Sequence, residues 1–367
     1  MRSKRWLKRL LITWLLGVII LLVITARAVT VFLSFYGSSE PPPEGWRVVR
    51  DLPGTRCAHD TPYQLLHRDA PGETLTIYFQ AGGACWDGAT CLEASPSFDQ
   101  TALDGEVNEY RGVFDFGHSD NPLRDDDIVF IPYCTADVHL GDAVIDYPSI
   151  LGRTITIHHQ GYRNVTAALN WIFRTYPNPE RVLITGSSAG AIASIFYAER
   201  IMRHYTEAPI VQFADGYVGV APAGWPALGV WNVYAHIPDL PGLQPFDPQT
   251  FSVTQLYQAA AEAFPQHTFS QFTHAADPLQ MTYYLLTGGD PTHWISERDR
   301  MLDSLTQLPN FRSFVGAGVF HTILFSDEVY AMAIQDVRLI DWLAALIGGE
   351  RDQAASLHCA RGTLDCP

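Results

Sequence analysis

Gly186-Ser187-Ser188-Ala189-Gly190 is the stretch whose reading decides the fold. It follows the apolar run Val182-Leu183-Ile184-Thr185 and precedes Ala191-Ile192-Ala193-Ser194-Ile195-Phe196-Tyr197. These three pieces read as a short buried strand, a tight turn and an amphipathic helix. That is the setting of a G-x-S-x-G nucleophile elbow, where a sharp strand-to-helix turn lifts a serine oxygen above a sheet. Small residues are needed because the turn is strained and the helix packs close to the strand. Ser188 is therefore the candidate nucleophile, beside the backbone N–H groups of a helix N-terminus.

Upstream, residues 74–79 form a β-rich run that ends in Gln80-Ala81-Gly82-Gly83-Ala84-Cys85. The loop after such a strand is where α/β-hydrolases supply oxyanion donors. Gly82 and Gly83 would let backbone N–H groups approach a developing charge without side-chain obstruction. Residues 128–133 read as a buried strand leading to Asp137 and His139, which suit either a site or the hydrogen bonding of their own loop. Asp125-Asp126-Asp127, just before it, is read as a solvated strand entrance, because no ligand set accompanies it. His158-His159-Gln160-Gly161 leads into a helix with Val165, Leu169, Ile172 and Phe173 at helical spacing, stopped by Pro177-Asn178-Pro179. Asn164-Val165-Thr166 in that helix has the form of a glycosylation sequon.

Downstream, residues 217–222 read as another short strand. Residues 225–265 are rich in proline and aromatics, with a helical piece at 254–264, and suit a lid, an acyl-pocket wall or simple packing. Strands are expected at 268–273, just before Asp277, and at 311–315, followed by Gly316-Ala317-Gly318 and His321. An amphipathic helix over about 327–347 closes the domain. The order Ser…Asp…His, each after a strand, is that of α/β-hydrolases. Asp277 and His321 are thus the candidate acid and base, with Asp290 and His293 as substitutes.

The totals narrow the class. With 367 residues, 47% of them hydrophobic, a sizeable core is within reach, and one domain with long loops is preferred. The formal charge is −15; six basic residues and no acid in the first 36 leave −21 for the remainder. An acidic body of this kind excludes a nucleic-acid-binding surface, which needs a clustered positive footprint. Arg2, Lys4, Arg5, Lys8 and Arg9 precede an uncharged apolar run over 10–26, so residues 1–36 read as an N-terminal hydrophobic helix. Ala26-Arg27-Ala28 has the form of a signal-peptidase site, whereas the apolar tract after it favours an uncleaved membrane anchor. Either reading places the body outside the cytoplasm. Residues 37–45 form a proline-rich linker, and 46–367 the catalytic domain. Six cysteines suit three disulfides in an exported chain. Cys85 with Cys91 and Cys359 with Cys366 would close small loops, leaving Cys57 with Cys134; a mixture of free buried thiols is the alternative. No cysteine or histidine grouping has zinc-site spacing.

Several stretches together resemble the pectin acetylesterase family. They are Phe79-Gln80-Ala81-Gly82-Gly83-Ala84-Cys85-Trp86, the run from Ile131 to Gly141, Thr185-Gly186-Ser187-Ser188-Ala189-Gly190, Asp277-Pro278-Leu279-Gln280 and Gly318-Val319-Phe320-His321-Thr322. The resemblance implies an α/β-hydrolase-like fold with a mostly parallel central sheet flanked by helices. It implies Ser188 as nucleophile, His321 as base, Asp277 as orienting acid, and an oxyanion hole from the N–H groups of Gly82, Gly83 and Ala189. The family's third glycine is replaced here, leaving Ala81 and Ala84 around the glycine pair. The expected activity is hydrolysis of O-acyl, above all O-acetyl, esters, with an acetylated saccharide as one substrate and no cofactor or metal. Alternatives are a lipase or serine peptidase on the same fold, or a non-catalytic surface-binding domain derived from a hydrolase.

Overall fold

The structure is a computed structural model that describes residues 40–92, 97–148 and 152–359. The expected hydrophobic helix over 1–36 lies outside the described residues. Among the described residues no helix is long and apolar enough to cross a membrane.

Runs rich in Val, Ile, Phe and Tyr form the strands. In chain order they are β1 (Trp46–Val49), β2 (Leu65–Arg68), β3 (Thr74–Phe79), β4 (Asp127–Ile131), β5 (Ala143–Pro148), β6 (Thr154–His159), β7 (Arg181–Ser187), β8 (Ile210–Asp215), β9 (Thr268–His274), β10 (Phe311–Gly316), β11 (Ala333–Ile334), β12 (Val337–Arg338) and β13 (Leu357–His358). Nine of them make one sheet in the order β1-β2-β4-β3-β7-β8-β9-β10-β13. Every pair from β4 to β13 is parallel, and β1 and β2 add an antiparallel edge. Central β8 and β9 are buried at every residue, as expected of parallel strands covered by helices on both faces. From β3 the chain continues to β4 on one side and β7 on the other. The loops leaving β3 and β7 therefore diverge, opening a crevice at the carboxyl ends of the strands.

Two expectations fail locally. Residues 217–222 are not a strand; the strand is β8, just upstream. Its Gln212 and Asp215 look too polar for a core strand, yet both are fully buried and hydrogen-bonded. The final helix is also not continuous. It breaks into Glu328–Ala331 and Leu339–Ile347, separated by the β11–β12 hairpin, whose turn holds Gln335 at φ 54°. A β5–β6 hairpin, unread in the sequence, carries His158 and His159 on a strand. Asn164 of the formal sequon is buried against the backbone of Arg56, so it offers no acceptor for a glycan.

Cys57–Cys134 and Cys85–Cys91 are disulfide-bonded. The first spans 77 residues, and closing such a loop removes about 4–5 kcal/mol of unfolded-chain entropy in the simplest account. Cys366 lies outside the described residues.

The acidic run before β4 is not uniformly solvated. Asp126 is buried and accepts from the Thr76 hydroxyl at 2.7 Å, and Asp127 accepts from the Ala70 N–H. Burial pushes the Asp126 carboxyl up to about 7. Between about pH 4 and 7 the native chain keeps a proton that the unfolded chain has released, so this group's contribution to stability is lost as pH rises through that window. Asp126→Asn has no proton to lose. Its melting temperature relative to wild type should climb by roughly 5 °C between pH 4 and pH 8, measured by thermal unfolding. An offset independent of pH would contradict this assignment.

Candidate active site

β7 ends at Ser187, and the helix Ala189–Phe196 starts directly after Ser188. Ser188 itself sits at φ 55°, ψ −115°, a strained conformation for a residue with a side chain. The helix packs against β3, β7 and β8. A Cβ on Gly190 would lie 2.0 Å from the Phe79 carbonyl oxygen, so only glycine allows this approach. The turn therefore presents the Ser188 hydroxyl at the crevice, beside the positive end of a fully buried helix.

The loops after β9 and β10 bring the other two side chains to it. Asp277 caps the helix Pro278–Leu286: its Oδ1 accepts from the Leu279 and Gln280 N–H groups, and Pro278 occupies the first helical position. Its Oδ2 accepts from Gln280 Nε2 at 2.8 Å and lies 2.7 Å from His321 Nδ1. His321 Nε2 lies 2.7 Å from Ser188 Oγ. Asp277 is fully buried, with a His321 side chain 16% exposed between it and the crevice. Because the carboxylate only accepts, Nδ1 carries the proton and Nε2 is left to accept from the serine hydroxyl.

Opposite Ser188 lies the loop after β3. Among the described residues, no protein group accepts the N–H of Gly82, Gly83 or Ala189. The loop is held from below. Tyr133 donates to the Gly83 carbonyl at 2.9 Å and accepts from the Val138 N–H at 2.9 Å. Its ring fills the space where a Cβ on Gly82 would sit, at 2.0 Å. Asp137 and His139 serve this loop rather than the crevice. Asp137 accepts from Thr135 Oγ1 and from the N–H groups of His139 and Gly161, and His139 Nε2 donates to the Gln80 carbonyl at 2.9 Å. Burial holds His139 down at about 4, so the ring is neutral.

Two spaces meet at Ser188 and His321. The inner one, about 540 Å³ including its mouth, is lined by Ile192, Tyr217, Val220, Ala221 and Trp225 among others. The outer one, about 960 Å³, runs along Phe98, Asp99, Leu279 and Leu286. Tyr283 lines both. Trp225 is thus a pocket wall, whereas Trp231 is buried and donates to the Cys85 carbonyl. Asp290 and His293 pair with each other on an exposed turn, 3.4 Å apart, and line neither space. The only metal-like grouping among the described residues is Cys85, Cys91 and His159. Its sulfurs are bonded to each other, and the His159 nitrogens are taken by Tyr147 and by the Thr135 carbonyl, so no donor set remains.

The pectinacetylesterase family model matches residues 65–218, a span that holds the glycine loop, the Asp137 loop and the elbow. Two crystal forms of the Wnt deacylase Notum from Drosophila share the fold, with TM-scores of 0.62 and 0.64 at 15% identity. They cover 88% of this chain, and the chain covers 99% and 100% of theirs. No curated protein sequence matches it.

One buried residue carries no clear signal in the sequence. Asp215, at the end of β8, is fully buried. It accepts from Ser187 Oγ at 2.6 Å and from the N–H groups of Ile323 and Leu324 at 3.0 Å, while its own carbonyl accepts the Ser188 N–H at 2.8 Å. Tyr78 completes the chain by donating to Ser187 Oγ at 2.9 Å. One carboxylate thereby ties the elbow to the loop that carries His321. Burial pushes it up to about 6, which leaves it mostly ionised at neutral pH. Its only sequence signal is an acid at a strand end followed by Gly216, too common to single out. Asp215→Asn keeps the volume but turns an NH₂ toward three donors. We expect a fall in kcat of roughly 10- to 100-fold on an aryl ester with KM changed far less, because His321 loses register with Ser188. An unchanged kcat would show that the two loops hold their places without it.

Proposed function

We infer that the protein is a serine carboxylesterase that hydrolyses O-acyl esters through an acyl-enzyme. The observation that carries this reading is the unbroken chain from Ser188 Oγ to His321 Nε2 and from His321 Nδ1 to Asp277, at 2.7 Å in each link. His321 takes the serine proton as Oγ attacks the ester carbonyl, and Asp277 stabilises the imidazolium that forms. The N–H groups of Gly82, Gly83 and Ala189 receive the oxyanion, each such donor contributing roughly 3–4 kcal/mol. His321 then protonates the leaving alcohol, and water repeats the sequence to release the acid. No step needs a metal or organic cofactor.

The acyl group enters the inner, apolar space. Acetyl is the expectation from the family. A second reading, a hydrolase of longer acyl chains, is favoured by the walls of Ile192, Val220, Ala221 and Trp225, which leave room beyond two carbons. That the structural relative is described as a Wnt deacylase agrees with removal of an acyl group and says nothing of this chain's substrate. Export is supported by the apolar run over 10–26 behind Arg and Lys, and by disulfides, which persist in oxidising compartments. The same run is the proposed membrane anchor or signal, and residues 46–367 are the proposed catalytic unit.

Ser188→Ala should lower kcat on a short-chain aryl ester by roughly four to six orders of magnitude. Normal hydrolysis by that variant would sink the assignment. A series of aryl esters of increasing acyl length, compared by kcat/KM, separates the acetyl reading from the longer-chain one.

A further inference from the structure

Asp99 is the one carboxylate along the outer space that Ser188 and His321 share. It is half-buried and held firmly in place. Its N–H donates to the Gly82 carbonyl at 3.0 Å, and the preceding Phe98 bridges to Gly83. Its Oδ2 stands 3.0 Å from where a Cβ on Gly82 would be, beside the oxyanion loop. Glu106 accepts from the Leu103 N–H and from Gln80, and Gln80 Oε1 accepts from the Tyr133 N–H. Among the described residues, no hydrogen bond or ion pair involves the Asp99 carboxyl. A carboxyl that stands unpartnered on the wall of the crevice is available to a ligand hydroxyl.

We propose that Asp99 is the specificity-determining residue for the alcohol half of the ester, hydrogen-bonding a hydroxyl next to the scissile bond of a polyhydroxylated alcohol. The inner space is lined mainly by apolar and aromatic side chains, which suits an acyl chain. The outer one combines a polar group with the apolar side chains of Phe98, Leu279 and Leu286. Sugar rings present this mixture, with C–H faces for apolar walls and hydroxyls for a carboxyl. Burial and the Glu106 carboxylate hold Asp99 well above the usual carboxylate range. That shift favours the protonated carboxyl, which can both donate to a sugar hydroxyl and accept from one.

This assignment rests on the esterase reading, and two substrates keep the two separable. Phenyl acetate has no hydroxyl in its alcohol half; a mono-O-acetylated methyl xyloside has them. Asp99→Ala should lose roughly 10-fold or more in kcat/KM on the xyloside ester, mainly through KM, and stay within about threefold on phenyl acetate. Asp99→Asn, which keeps a donor and an acceptor at the same volume, should stay within about threefold of wild type on both. A loss common to both substrates would overturn the proposal, since Asp99 would then act through the oxyanion loop. So would an unchanged xyloside ester rate. Binding of free methyl xyloside, followed by NMR titration, reads the same contact without turnover and should weaken about fivefold or more in Asp99→Ala. If Ser188→Ala stays active while that binding still depends on Asp99, only the esterase reading fails.

Discussion

The constraint on which the site depends is the contact between the end of β3 and the start of the helix after Ser188. The Phe79 carbonyl oxygen occupies the position that any Cβ on Gly190 would need. Parallel pairing of β3 with β7, up to Phe79 opposite Gly186, sets this distance. Two loops far apart in sequence, one after Phe79 and the other after Ser187, therefore leave the sheet side by side. One carries Ser188 and the other the unpaired N–H groups of Gly82 and Gly83. Sheet register, rather than any flexible adjustment, sets the separation between them.

Around that contact the protein buries an unusual amount of polarity, and most of it acts on backbone. Asp137, Asp215 and Asp277 are fully buried, and each accepts main-chain N–H groups: Asp137 from its own loop and the helix start at Gly161, Asp215 from the loop that carries His321, and Asp277 from the first turn of the helix Pro278–Leu286. His139 and Tyr133 do the same work from the donor side. A loop carries backbone groups that must find partners once buried. Here side chains supply them, which is why long connections can sit rigidly at the site.

The local features were the legible ones. A strand followed by Gly-x-Ser-x-Gly, an Asp-Pro pair after a strand and a glycine-rich loop before a histidine are all written within a few neighbouring residues. Their positions could be found without knowing which strands pair. β8 was not legible, because Gln212 and Asp215 disguise a core strand and their partners Ser194, Ile323 and Leu324 lie far off in sequence. The last helix was misread for a related reason. Its apolar spacing continues across the β11–β12 hairpin, and only the backbone at Gln335 interrupts it. Edge strands β1 and β2 are four residues each, too short for alternation to stand out.

Tyr283 forms part of the wall of both spaces that meet at Ser188, with its hydroxyl 3.3 Å from the Ser97 carbonyl and its ring 6.4 Å from that of Trp86. A partition built from one ring has no independent sides. Shortening it would open the two spaces into one, and a bulkier group would narrow both. Substitutions that reshape one half of the crevice at this position therefore reshape the other, and their effects should be non-additive with those of changes elsewhere along either wall. Change at Tyr283 is thus a coupled trait, whereas Trp225 and Leu286 each face a single space.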